Sequence, residues 1–226
     1  MDDRDGTGWV STMTAGRTSP EIDSVPAARV IPDQALPGAR SSGTAATEFG
    51  RVWGELSATR NLDRETLQAA LARIDRADRP AFLFDVAGNL RPHSGVLASV
   101  ILAVWAESGH PGDSVDREGW VWLFARAGVT RHGGRFAVDD GVADGGRLVD
   151  RPAEPLRLYR GALPPRRYGM SWTGDRAAAA MFATVGPGGR LWSTVAEPWR
   201  LLAHCTAGGA DEYVLDTRGL KVLAHD

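Results

Sequence analysis

The spacing of apolar residues changes character once along this chain, and that change restricts the fold more than any single motif. From Phe49 to Gly128 apolar side chains recur every three or four residues, as in helices with one buried face. From Leu156 onward they fall in short alternating runs broken by Gly and Pro, as in strands. A set of helices followed by a set of strands predicts an α+β fold.

The helical part resolves into three predicted helices. Asn61 or Asp63 can cap a segment whose Leu62, Leu67, Leu71 and Ile74 share one face, and which ends before Pro80. A short apolar run, Ala81 to Val86, reads as a strand or a buried turn, punctuated by Gly88-Asn89. A second helix, Ser94 to Ser108, is apolar nearly all round and so belongs inside. The third, capped by Asp113 or Ser114 and closed by Gly128, turns Trp120, Leu123, Phe124 and Ala127 inward. Residues 134–155 are rich in Gly and Asp and read mostly as loop, with one hairpin between Arg135 and Leu148.

Strands are then expected at Leu156 to Tyr159, Tyr168 to Trp172, Leu191 to Val195 and Leu201 to Cys205. An Ala-rich helix, Asp175 to Ala183, capped by Thr173, separates the second from the third. Glu212 to Leu215 and Leu220 to Ala224 read as a closing hairpin turned at Thr217-Arg218-Gly219. Ahead of all this, residues 1–48 are rich in Ser, Thr, Gly, Pro, Ala and Asp and carry no apolar period. They are expected to be a disordered tail, leaving 49–226 as the folded domain: a helical part (49–133), a loop (134–155) and a β-rich part (156–226).

Composition narrows the classes of function. With 43% apolar and 24% charged residues among 226, the chain has the make-up of an ordinary globular protein. Its longest apolar run, Val96 to Ala106, is too short to span a bilayer. The acidic, polar opening MDDRDGTGW is no secretory signal, so the expected location is the cytoplasm, or outside the cell by a route that leaves no amino-terminal signal, with no membrane partner. Cys205 is the only cysteine, which excludes an intramolecular disulfide and a cysteine-based zinc cluster. A formal net charge of −2 gives no footprint for tight nonspecific nucleic-acid binding, while leaving a nucleic acid open as a transient substrate.

Within the β-rich part three separated polar residues stand out: Arg160 in LYRG, Ser171 in GMSWT and Glu212 in GADEYVLD. An arginine holds phosphate through charge-assisted, often bidentate hydrogen bonds. A hydroxyl positions a ribose, and a carboxylate faces positive charge developing on a sugar carbon. Together they suit a dinucleotide with a labile glycosidic bond. Other constellations are weaker. The five histidines, His93, His110, His132, His204 and His225, lack metal spacing. His204 and Cys205 are strand neighbours that point to opposite faces, and Cys205 reads as a small buried apolar residue. The double glycines lack the sequence around them that a P-loop or a Rossmann turn needs. Tyr168, Phe182 and Trp192 read as core packing rather than as stacking partners of a base.

The order LYRG, GMSWT with its Ala-rich helix, the strands GRLW and RLLAHC, then DEYVLD resembles the Arg-Ser-Glu, cholera-toxin-like class of mono-ADP-ribosyltransferases, in the short form of actinobacterial and phage genomes. The match covers about the last third of the chain. The resemblance implies a helical layer packed on a split antiparallel β-sandwich whose cleft admits NAD as substrate. It implies that Arg160, Gly161, Ser171, Trp172 and Thr173 line that dinucleotide. Arg160 would bind the phosphate or ribose on the nicotinamide side, Ser171 would brace the ribose with Thr173 as companion, and Glu212 would stabilise the oxocarbenium. ADP-ribose would pass to a protein, a nucleic acid or water, as in a toxin, effector or phage–host conflict protein with an antitoxin or immunity partner.

One departure bears on the acceptor. Many members that modify arginine carry a second Glu two positions before the catalytic one, and others have Gln there, where this chain has Ala210, followed by Asp211. That shifts the expectation from arginine toward water or another nucleophile. The alternative reading is a catalytically silent module of the same fold that holds a nucleotide or a partner protein. A third is a structural or packaging-associated phage protein with no NAD site.

Overall fold

Helix α1, Gly43–Ser57, turns Val52 and Leu56 inward and sets Phe49 and Trp53 edge-on against Phe82, with ring centroids 5.0 and 6.3 Å away. The structure, a computed structural model, describes residues 43–109, 112–129, 134–139, 146–206, 209 and 211–225. Most of the expected amino-terminal tail lies outside these residues, but α1 begins six positions before the anticipated boundary at Phe49. On its exposed side Glu48 and Glu55 face Arg51 and Arg73, and the arginines hold both carboxyls below the usual range, chiefly through side-chain hydrogen bonds.

Helix α2, Arg64–Arg73, is capped by Asp63, whose carboxylate accepts the Thr66 N–H at 2.9 Å, and buries Leu67, Ala70 and Leu71. The run after Pro80 is neither strand nor loose turn. It is helix α3, Arg79–Asp85, continued by a π-helical turn, Val86–Leu90, and closed by Arg91 in the left-handed region at φ 49°. Pro80 sits in the first turn, where its missing N–H has no partner to lose and its fixed φ favours the helix. A residue read as a stop is therefore a start. Helix α4, Ser94–Glu107, is buried along most of its length, as its all-round apolar character demands. Helix α5, Arg117–Arg126, is capped by Asp116, not by Asp113 or Ser114. Among the described residues five α-helices thus precede the strands, against three expected.

The segment expected to be mostly loop supplies two strands. β1, Arg135–Asp139, and β2, Arg147–Asp150, pair antiparallel as the anticipated hairpin. β1 also pairs in parallel with a strand 66 residues on (Ala137 with Ala203), β6, Leu201–Cys205, so the hairpin is one edge of the larger sheet. That pairing partner is remote in sequence, and a short Gly- and Asp-flanked strand carries no local trace of it.

The other strands follow expectation more closely: β3, Leu156–Ala162; β4, Ser171–Trp172; β5, Arg190–Ala196; β7, Glu212–Leu215; β8, Leu223–His225. They form two sheets, a five-stranded one ordered β2-β1-β6-β7-β4 and a three-stranded one ordered β3-β5-β8. All pairings except β1 with β6 are antiparallel. The expected closing hairpin does not form: β7 and β8 belong to different sheets. Between them Asp216, 1% exposed, takes the Arg218 guanidinium at 2.6 Å, and its N–H donates to the Arg200 carbonyl. Thr217 Oγ1 donates to the Tyr168 carbonyl at 2.8 Å. These ties carry the chain from one sheet to the other.

The fold is therefore α+β, and one core of buried residues runs from Val52 in α1 to Leu220 beyond β7. None of the described helices is long and apolar enough to cross a membrane. The last helix, α6, Arg176–Ala183, lies across β3 at Gly161, where a Cβ would stand 2.1 Å from the Ala179 carbonyl oxygen and 2.3 Å from the Ala183 nitrogen. Both neighbours are backbone, so nothing flexible can give way. Gly161→Ala is expected to push α6 off the sheet and cost about 3 kcal/mol, the upper end of overpacking penalties; a urea midpoint within error of wild type would refute the close approach.

Candidate functional site

Among the described residues one isolated backbone bridge links the two sheets. Tyr159 N–H donates to the Thr173 carbonyl at 2.8 Å and Thr173 N–H returns to the Tyr159 carbonyl at 2.9 Å. Arg160 follows Tyr159 on β3, and Ser171 lies two residues before Thr173 on β4. The guanidinium crosses the junction: Arg160 Nη1 donates to the Ser171 carbonyl at 2.7 Å and Nε to the Arg166 carbonyl at 3.2 Å. Gly169 lies under it, so close that a Cβ there would stand 2.4 Å from Nη2. A glycine at 169 is what allows the planar guanidinium to lie against the chain.

β4 pairs with β7 through Ser171↔Val214 and Trp172↔Tyr213. Continuing that register sets Thr173 opposite Glu212. Residues paired across an antiparallel ladder share a face and alternate along each strand, so Ser171 and Glu212 lie on one side of the sheet and Trp172 and Tyr213 on the other, while the hydroxyl of Thr173, just past β4, turns to Asp211. Arg160, Ser171, Thr173 and Glu212, all partly exposed, are thus gathered at the split between the sheets. Two predicted residues are placed differently. Trp172 is buried, with its indole donating to the Gly169 carbonyl at 2.8 Å, which makes it core. Gly161 presents its bare Cα to α6. Tyr168, read as core, is 41% exposed, with the Arg167 guanidinium 4.6 Å above its ring. Trp192 is buried as expected.

Thr173 is not the cap of α6. Asp175 is, accepting the Ala177 and Ala178 N–H groups at 2.7 and 3.2 Å, while Thr173 Oγ1 accepts the Asp175 N–H at 3.0 Å. The threonine hydroxyl donates in turn to Asp211 Oδ2 at 3.3 Å. Asp211 holds two further groups: Oδ2 also takes the Gly174 N–H at 3.0 Å, and Oδ1 meets His204 Nε2 at 2.8 Å. His204 stacks on Tyr213, centroids 3.9 Å apart and planes 9° from parallel. Burial, with the Asp211 charge second, holds the Tyr213 phenol above its usual range. Ala210 lies outside the described residues.

Glu212 is held from the helical side. Trp105 of α4 donates its indole N–H to Glu212 Oε1 at 3.0 Å. Sequence reading missed this residue. The signal was present, since a buried tryptophan needs an acceptor for its N–H, but nothing local names that acceptor. Cys205 pairs with Glu212 and Asp139 in register and shares their face, while His204 takes the other, as alternation requires. Among the described residues no group of three or more His, Cys, Asp or Glu side chains could hold a metal ion.

A groove of about 740 Å³ lies elsewhere, between α6 and β5–β8, with Ala177, Ala180, Leu191 and His225 among its walls. Leu191 pairs with Gly161 and His225, whereas Arg160 pairs with Trp192, so the groove and the guanidinium sit on opposite faces of the three-stranded sheet. Among the described residues the groove walls carry no carboxylate, and on chemistry the split is the better candidate for catalysis. The chain matches no protein-family model, no curated protein and no solved structure. What the site does must follow from its geometry.

Burial raises the Cys205 thiol far above the ordinary value of about 8.5, with the Glu212 and Asp139 charges adding to the effect. A raised folded-state pKa contributes stability that is complete below the unfolded value and is lost as pH climbs above it. Unfolding free energy is therefore expected to fall by about 1 kcal/mol between pH 8 and 9.5, and Cys205→Ala to lose that alkaline slope. Rapid alkylation of native Cys205 at pH 8, without denaturant, would contradict the burial.

Proposed function

We propose that this chain cleaves NAD at the nicotinamide glycosidic bond through an ADP-ribosyltransferase-like split sandwich of the Arg-Ser-Glu class, and passes ADP-ribose mainly to water or to a nucleophile other than arginine. The observation that carries the reading is that Arg160, Ser171 and Glu212, from three strands, lie around the backbone bridge between the sheets.

In this mechanism Arg160 holds the phosphate or ribose next to nicotinamide, and Ser171 offers a hydroxyl to the ribose. The bond from the ribose anomeric carbon to the nicotinamide nitrogen breaks with its electron pair going to nitrogen, which neutralises the pyridinium. The positive charge left on the ribose faces the Glu212 carboxylate. Water or an acceptor then adds to the anomeric carbon and sheds a proton. A cationic leaving group needs little acid catalysis, so a fixed carboxylate and an ordered cleft suffice. A second free acidic group would suit activation of a guanidinium. Asp211, the nearest candidate in sequence, is engaged by His204, Thr173 and Gly174, which is why arginine is the disfavoured acceptor. An enzyme that consumes NAD fits a toxin or effector restrained by an inhibitory partner.

A second reading has its own support. A groove of about 740 Å³ lies on the opposite face of the three-stranded sheet from Arg160, as in a silent module that binds a ligand there. Nicotinamide release from NAD separates the two. Wild type is expected to release nicotinamide, Glu212→Gln to lose about 10²–10³ in rate, and Arg160→Lys to raise KM with a smaller effect on kcat, since lysine lacks the planar fork. A rise on adding lysate would indicate transfer over hydrolysis. A folded wild type that releases none defeats the catalytic reading, and retained NAD binding would then favour the silent module.

A further inference from the structure

Glu212 Oε1 accepts the Trp105 indole N–H at 3.0 Å. The indole is fixed from behind: Trp105 is 4% exposed, Trp120 meets it edge-on with centroids 4.9 Å apart, and Phe124 lies at 6.2 Å. Glu212 Oε2 accepts no hydrogen bond from any described residue, and no cation pairs with the carboxylate among them. One oxygen is anchored by a rigid donor and the other is left for a ligand.

The type of donor matters. An arginine or lysine would fix the carboxylate equally well but would offset its charge at the point where a developing cation needs it. An indole N–H is a neutral donor with no second function. It sets direction while leaving the negative charge on the carboxylate. The bond also spans the molecule, because Trp105 belongs to the helical layer and Glu212 to the five-stranded sheet.

We infer that Trp105 is a positioning residue for Glu212, aiming Oε2 at the substrate's ribose; this rests on the NAD-cleaving reading given above. Trp105→Phe keeps a ring in the aromatic cluster and removes only the donor. Its kcat for nicotinamide release is expected to fall about ten- to a hundredfold, the worth of a hydrogen bond to a charged group, with KM for NAD and Tm near wild type. In the Glu212→Gln background the same substitution is expected to change kcat little, since the group it positions is gone. An unchanged kcat in Trp105→Phe, a full second loss in the double variant, or a loss that follows Tm and KM instead of kcat would overturn the inference.

The indole 1H–15N resonance absent from Trp105→Phe provides a readout independent of turnover, and Glu212→Gln should move it. If wild type releases no nicotinamide, the reaction and the positioning role fall together. A resonance that still moves then attributes the failure to the chemistry, and one that does not move shows that the contact itself is wrong.

Discussion

Two backbone hydrogen bonds between Tyr159 and Thr173 hold the candidate site together. Strands β3 and β4 belong to different sheets, and this is the isolated pair at which they meet. A longer ladder would merge the sheets and close the split. Without the pair, the arginine and serine motifs would have no fixed relation. The Arg160 guanidinium reinforces the junction by reaching across it to the Ser171 carbonyl, in a position that only a glycine at 169 permits. The same side chain is thus a structural tie and the one cation among the four residues gathered there.

The helical layer does more than cover the sheet. Its aromatic cluster, Trp105, Trp120 and Phe124, holds a donor against Glu212, so the charge in the split is oriented by a helix 107 residues away in sequence. The same face carries Cys205, kept as a thiol by burial and by the neighbouring carboxylates. On the other face Asp211 joins His204 to the start of α6 through Thr173 and Gly174. Each strand that carries a candidate residue is therefore held from two sides. A carboxylate must be placed to within a fraction of an ångström to stabilise a developing charge, and single contacts on short strands do not supply that.

Much of this was legible in the sequence because it is local. Asp63 caps α2, and Ser94 begins α4, whose apolar residues on every side required burial. The Arg135–Leu148 hairpin and strands β3, β5 and β6 follow from alternation. The errors share a cause. Pro80 was read as a breaker though it sits where a helix tolerates it, and the cap of α6 was assigned to Thr173 because two good capping residues stand two positions apart. Trp172 was taken for a ligand contact, but the register with Tyr213 turns it into the core.

The sequence by itself determined that helices precede strands, where several of them start, and the three polar residues worth following. These are encoded in spacings of two, three and four residues, which any segment carries within itself. Tertiary structure alone decided that β7 and β8 part into different sheets, that β1 runs parallel to β6, that Asp211 is committed to His204, and that Trp105 faces Glu212. Those outcomes depend on which buried surfaces and hydrogen-bonding groups meet once the core closes, and residues that far apart in the chain carry no shared period to announce it.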